Sequence, residues 1–220
     1  MALPVTGFTS PTSRPAFLES VPRLWPDSTI VCLGSGPSLT VSDIHAAFMA
    51  RAKLIAVNDA VRLTGKTADV LFASDSKWWK WFKDVEDGDL PHHLWSVDPE
   101  ARTFRPSVHL VNYNGQEGLE THPSSIRTGG HSGYMAINMA VHFGAKTIIL
   151  LGYDLQRTDG QHHFFGEHPD LNHLNYDIRR GVYQTLLAPL ASLGIRIFNA
   201  SRITALTHLP CCSLADALAA

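Results

Sequence analysis

The chain reads as a single α/β domain, with a mostly parallel sheet and helices on both faces. Three observations predict this. Short apolar runs without polar alternation recur along the chain, as in strands buried on both faces. Stretches with amphipathic helical spacing separate several of them. Most of these runs end in glycine or small polar residues (GSG, ND, SD, GYD and NAS), and open α/β sheets place ligands beyond that end of their strands. Together they describe a Rossmann-like sheet, and 220 residues suffice for its core.

Residues 1–27 carry Pro4, Pro11, Pro15, Pro22 and Pro26, which forbid a long helix. They read as an extended arm ahead of a nucleotide-binding domain over 28–220. The first strand is 29–33 (TIVCL), running into Gly34-Ser35-Gly36-Pro37-Ser38-Leu39. This is neither a Walker loop nor a dinucleotide fingerprint, because Leu39 stands where the third glycine would be. Strand, Gly-x-Gly and a helix over 41–49, opened by Thr40 or Ser42, still suit approach to phosphate or ribose, though a plain turn has the same composition.

Strands at 53–57 and 69–73 follow, ending in Asn58-Asp59 and Ser74-Asp75. Polar groups there suit a base or ribose, and they also make ordinary turns. On a helix, the segment KWWKWFK (77–83) puts Trp78, Trp81 and Phe82 on one face, either against the sheet or as a stacking platform beside lysines. Short strands are expected at 94–97 and 108–112. Residues 177–193 space Ile178, Val182, Leu186, Leu187 and Leu190 for burial, with a kink expected at Pro189 and Gly194 closing the helix. A last strand at 195–199 leads into Ala200-Ser201-Arg202, where the arginine suits a phosphate, and a short helix covers 213–219.

The stretch 127–154 (RTGGHSGYMAINMAVHFGAKTIILLGYD) carries the densest signal. Gly129, Gly130 and Gly133 permit tight turns and close backbone approach. Ser132 reads as the N-cap of a helix over 132–143, whose free N–H groups favour a phosphate or carboxylate. A strand at 147–151 then delivers Gly152-Tyr153-Asp154. The polar segment 156–176 holds His162, His163, His168 and His173. They suit a general acid or base on a lid; no helical pair or Cys partner fixes a metal geometry.

A net charge of −2 gives no electrostatic reason to expect nucleic acid. Three cysteines, of which Cys211 and Cys212 are adjacent, make no disulfide framework, and no apolar run or leader signals a membrane or export. A cytoplasmic protein is expected, in the host cytoplasm if phage-encoded.

GSGPSL, ND and SGYMAINMAVHFGAKTIILLGYDL resemble motifs of the bacterial CMP-sialic-acid-dependent sialyltransferases. They are equally similar to the MptE-like 6-hydroxymethylpterin diphosphokinase family. The chain resembles phage and prophage proteins of the "norphogenetic" type over about residues 29–218, HHFFGEHP and NASRITAL included. The resemblance implies a nucleotide-dependent transferase, most like a glycosyltransferase with a CMP- or UDP-type nucleotide-sugar donor. It implies that Gly34, Ser35, Gly36, Pro37 and Ser38 line the phosphate side, with loop amides on the leaving phosphate. It also implies that Asn58 lies near the donor, that Ser132 and Gly133 contact phosphate, and that Asn199 and Ser201 close the pocket. The general base would be His168 or His173, with His163 a further candidate; Asp59, Asp75, Gly130 and Asp154 complete the expected site. The diphosphokinase alternative needs ATP and Mg²⁺, for which Asp59, Asp75 and Asp154 are the available carboxylates. A non-catalytic nucleotide-binding phage protein is the third reading. The acceptor is open, modified DNA among its candidates, as is a homo-oligomer.

Overall fold

The computed structural model describes residues 18–167 and 175–220. In chain order its elements are β1 (Ser28–Leu33), α1 (Val41–Met49), β2 (Lys53–Val57), α2 (Val61–Thr64), β3 (Val70–Phe72), α3 (Ser76–Trp81) and β4 (His93–Ser96). Then come α4 (Ala101–Phe104), β5 (His109–Leu110), β6 (Asn112–Tyr113), β7 (Ser125–Ile126), α5 (Ser132–Phe143) and β8 (Ala145–Leu151). The chain closes with α6 (Tyr176–Val182), α7 (Leu187–Ser192), β9 (Arg196–Asn199) and α8 (Leu214–Ala219).

Seven strands form one parallel sheet in the order β5-β4-β3-β2-β1-β8-β9, and β6 and β7 pair separately. Because side chains alternate along a strand, the apolar runs feed two cores at once. Ile30 and Cys32 of β1 join α5, Tyr183, Leu186 and Leu190 on one face. Val31 and Leu33 join Ile44 of α1, Trp78 and Trp79 of α3 and Ala217 of α8 on the other. The expected fold class is therefore the observed one.

The described part of the arm lies along this body. Glu19 N–H donates to Leu110 O, Val21 N–H to Pro123 O and Trp25 N–H to Phe143 O, and the Trp25 ring packs 5.0 Å from that of Phe143.

Three expectations are corrected. The run 108–112 is not one strand: Val111 N–H still bonds Ser96 O, but Asn112 N–H turns to Ser124 O, so the chain leaves the main sheet for β7. In α3 the buried set is Trp78, Trp79 and Phe82, while Trp81 is 40% exposed. Trp79 is drawn in because its indole N–H reaches Ala73 O at 3.1 Å, while Trp78 stacks on Phe82 at 4.6 Å. The run 177–193 is α6, a 3-10 turn over Tyr183–Leu186, and α7. Pro189 has no N–H for the Thr185 carbonyl, which prevents a continuous α-helix there. The tighter turn shifts the buried phase, leaving Ile178 63% exposed and Leu187 at the surface while Tyr183, Leu186 and Leu190 go inward.

Candidate functional site: a cleft at the switch point

From β1 the sheet grows one way through β2 to β5 and the other way through β8 and β9. The crevice above the carboxyl ends of β1 and β8 is the topological switch point, where such sheets bind ligands. A cleft of ≈ 630 Å³, counting its open mouth, occupies it. Gly34, Ser35 and Gly36 line it after β1, Asn58 after β2, and His131, Ser132 and Gly133 at the start of α5. Tyr153, Asp154 and Gln156 enter after β8, and His162, His163, Tyr176, Arg179 and Tyr183 form the remaining wall.

The glycines after β1 are explained by the neighbouring strand. A Cβ on Gly34 would sit 2.5 Å from Gly152 O, and one on Gly36 2.2 Å from Asp154 Oδ1. Asp154 is 1% exposed and accepts from Ser38 N–H at 3.0 Å, Ser38 Oγ–H at 2.5 Å and Thr158 Oγ–H at 2.8 Å. Gly34 N–H bonds Leu151 O, Gly36 N–H bonds Gly152 O and Leu39 N–H bonds Gly36 O. Of this loop only the Ser35 amide is unspent among the described residues. Three of the four amides expected at a leaving phosphate, those of Gly34, Gly36 and Ser38, are thus spent in tying the turn after β1 to the end of β8.

Free amides lie instead at α5. His131 occupies the N-cap in extended conformation and makes no side-chain cap bond. Ser132, expected as the cap, is the first helical residue, and its Oγ pairs with Ser74 Oγ at 2.7 Å. The amides of Ser132 and Gly133 have no hydrogen-bond partner among the described residues. Arg179 reaches the same cleft without a carboxylate partner among the described residues, and burial lowers its pKa. Three polar atoms around the cleft are sealed from solvent and unpartnered: Asn58 Oδ1, His131 Nε2 and Tyr183 Oη. Buried polar groups are normally satisfied, and three of the six such orphans among the described residues border this cleft. Burial, and secondarily the Arg179 charge, push the His131 imidazole down to about 3, so it is neutral. Burial likewise pushes the Tyr183 phenol well up. Asn58 also holds φ at 51°, a backbone strain characteristic of functional positions.

Above the cleft, Phe164 N–H bonds Ser35 O at 3.1 Å and pins the histidine loop over the glycine turn. His162 Nδ1 pairs with Tyr176 Oη, and His163 stacks on Phe165 with ring centres 5.1 Å apart. His168 and His173 lie outside the described residues.

Other expected residues fall beside the cleft. Asp59 accepts from the Trp78 indole at 2.8 Å and Arg62 at 2.5 Å, and Asp75 caps α3 through Trp78 N–H. Pro37, Ser38 and Gly130 are not in its lining. Asn199 accepts from Ser201 N–H and donates to Thr204 Oγ, while Ser201 Oγ accepts from Tyr153 N–H at 2.8 Å. Both brace the floor from behind. Arg202 is committed to a two-point ion pair with Asp43 at 2.7 and 2.9 Å, with Asp43 held below the ordinary carboxylate range although its burial opposes this.

Asp59, Asp75 and Asp154 serve different partners, and among the described residues no cluster of three His, Cys, Asp or Glu side chains gathers for a metal. Of these three carboxylates only Asp154 borders the cleft. His131, Tyr176, Arg179 and Tyr183 went unread as site residues in the sequence. Only His131 carried a signal, its place inside GGHSG.

Fold and cleft together define an α/β protein with a polar cleft at its switch point. No known protein-family model and no curated protein matches the chain. Among the described residues no helix is long and apolar enough to cross a membrane.

Proposed function

We propose that the chain is a nucleotide-dependent transferase of glycosyltransferase type, with the nucleotide's phosphate held at the start of α5. One observation carries this reading: the unspent amides of Ser132 and Gly133 converge with Arg179 on the switch-point cleft. A helix N-terminus with an arginine stabilises a phosphate and the charge that grows on it as a leaving group. The resemblance of GSGPSL, ND and the α5–β8 stretch to sialyltransferase motifs supports a nucleotide-sugar donor.

In this mechanism an acceptor hydroxyl attacks the anomeric carbon as the bond from that carbon to the phosphate oxygen breaks. The hydroxyl proton passes to a histidine of the loop, His162 or His163, both of which border the cleft. The bonding electrons leave with the nucleotide phosphate, towards Arg179 and the α5 amides. Diphosphate transfer from ATP has less support, because the carboxylates it would use for Mg²⁺ are hydrogen-bonded elsewhere.

The test is a thermal-shift panel of CMP, CDP, UDP, GDP, ADP and ATP, each with and without Mg²⁺. A ligand that binds the folded state raises its stability by mass action. A metal-independent shift with one nucleotide is expected, followed by release of that nucleotide from its sugar conjugate, lost in His162→Ala or His163→Ala. A shift with ATP alone, and only with Mg²⁺, would reverse the choice of chemistry. Silence at millimolar concentration would remove the nucleotide.

A further inference from the structure

We propose that Tyr183 and His131 are ligand-contacting residues, whose phenol hydroxyl and Nε2 hydrogen-bond the phosphoryl oxygens of the group seated at α5. The inference deepens the nucleotide reading and rests on it for the identity of that group, but the oxyanion chemistry stands on its own geometry.

Three tyrosines meet beneath the cleft. Tyr134 Oη donates to Gly118 O at 2.7 Å and lies 2.9 Å from Thr185 Oγ; Tyr153 Oη donates to Gly133 O at 3.0 Å. Tyr183 packs edge-on against both rings, at 5.5 and 6.3 Å, and is 0% exposed, yet its hydroxyl alone of the three has no partner. A phenylalanine would fill this space without burying an unsatisfied hydroxyl, so the group's use lies in the cleft that it lines.

His131 stands beside it, ring centres 5.5 Å apart, with Nε2 equally sealed and equally unpartnered. Burial, and secondarily the Arg179 charge, disfavours a charged imidazolium, leaving a neutral ring that presents one N–H. The two orphans share a wall with Arg179 and the Ser132 and Gly133 amides. Five donors around one space suit a phosphoryl group, and the one carboxylate of the lining, Asp154, is engaged by Ser38 and Thr158. The seated oxyanion selects the imidazole tautomer that carries its proton on Nε2.

The test compares the full chain with Tyr183→Phe, His131→Leu and His131→Gln, measuring binding of CMP, UDP and inorganic phosphate calorimetrically and stability without ligand. Tyr183→Phe is expected to be at least as stable as the parent when empty, yet to bind the anion about tenfold more weakly. His131→Leu is expected to weaken binding similarly, and His131→Gln, which keeps a side-chain N–H, to recover part of it. Parent-like affinity in Tyr183→Phe and His131→Leu, with the parent binding normally, overturns the inference and leaves the nucleotide reading intact. A parent that binds inorganic phosphate but no nucleotide, with the same losses in the variants, supports the oxyanion site and removes the nucleotide. A parent that binds none of the three probes overturns both.

Discussion

Asp154 and Ser38 are joined twice: Oδ1 accepts from the serine hydroxyl at 2.5 Å and Oδ2 from its amide at 3.0 Å. This clamp ties the turn after β1 to the end of β8, so it sets the width of the cleft between them. Asp154→Asn weakens a charge-assisted, buried pair and is expected to cost about 2 kcal/mol of stability. Gly36→Ala attacks the clamp from the other side, since its Cβ would meet Asp154 Oδ1 at 2.2 Å. Urea midpoints of both variants should fall, and any nucleotide shift should fall with them. A stable Gly36→Ala protein would mean that the turn can move without Asp154.

Asn58 presents the opposite balance. Its φ of 51° and unpartnered Oδ1 contribute nothing to the empty fold. Asn58→Gly accepts that φ freely while adding unfolded-state entropy, so stability should change by less than about 1 kcal/mol. Nucleotide-dependent stabilisation should nevertheless disappear. Equal thermal shifts in parent and variant would take Asn58 out of the site.

The fold was legible because its signals are local. The apolar runs that became β1, β2 and β8 carry burial on both faces in their composition, and α1 and α5 occupy the spans that their periodicity marks out. The cleft was legible at the strand ends, where Gly34, Ser35, Gly36, Asn58 and Asp154 border it, and at Ser132 and Gly133 of the α5 start and His163 of the histidine loop. Arg179 and Tyr183 were hidden because they arrive from α6 and the 3-10 turn after it, off the apolar stripe that the sequence marks at Ile178, Val182 and Leu186. Nor does sequence reveal whether an amide is spent. Ser38 N–H faces Asp154 rather than solvent only because residues 116 apart in the chain are brought together.

That phase shift makes its own prediction. Ile178 and Leu186 both belong to the apolar stripe of the sequence, but Ile178 is 63% exposed and Leu186 is 0%. Ile178→Lys should change stability by no more than about 0.5 kcal/mol. Leu186→Ala leaves a hole between Tyr183 and the sheet and should cost about 2–5 kcal/mol. Equal costs by chemical denaturation would mean that 177–193 is a regular helix after all.

His131 also gives the cleft a pH signature. Burial, with the Arg179 charge behind it, holds its folded pKa at about 3, whereas an unfolded histidine titrates near 6.5. Below about pH 6.5 the unfolded chain therefore takes up a proton that the folded chain refuses. The stability from the neutral ring is complete above that pH and is lost progressively as pH falls towards 3. At about pH 5 the loss from this one group amounts to about 2 kcal/mol. Burial shifts His142 and His93 in the same direction, so the whole chain should weaken on acidification. Urea midpoints of the parent and His131→Leu at about pH 7.5 and about pH 5 separate the contributions. The variant should lose less stability between the two pH values than the parent. An identical loss in both would mean that the imidazole already takes a proton in the folded state, as a cation beside Arg179.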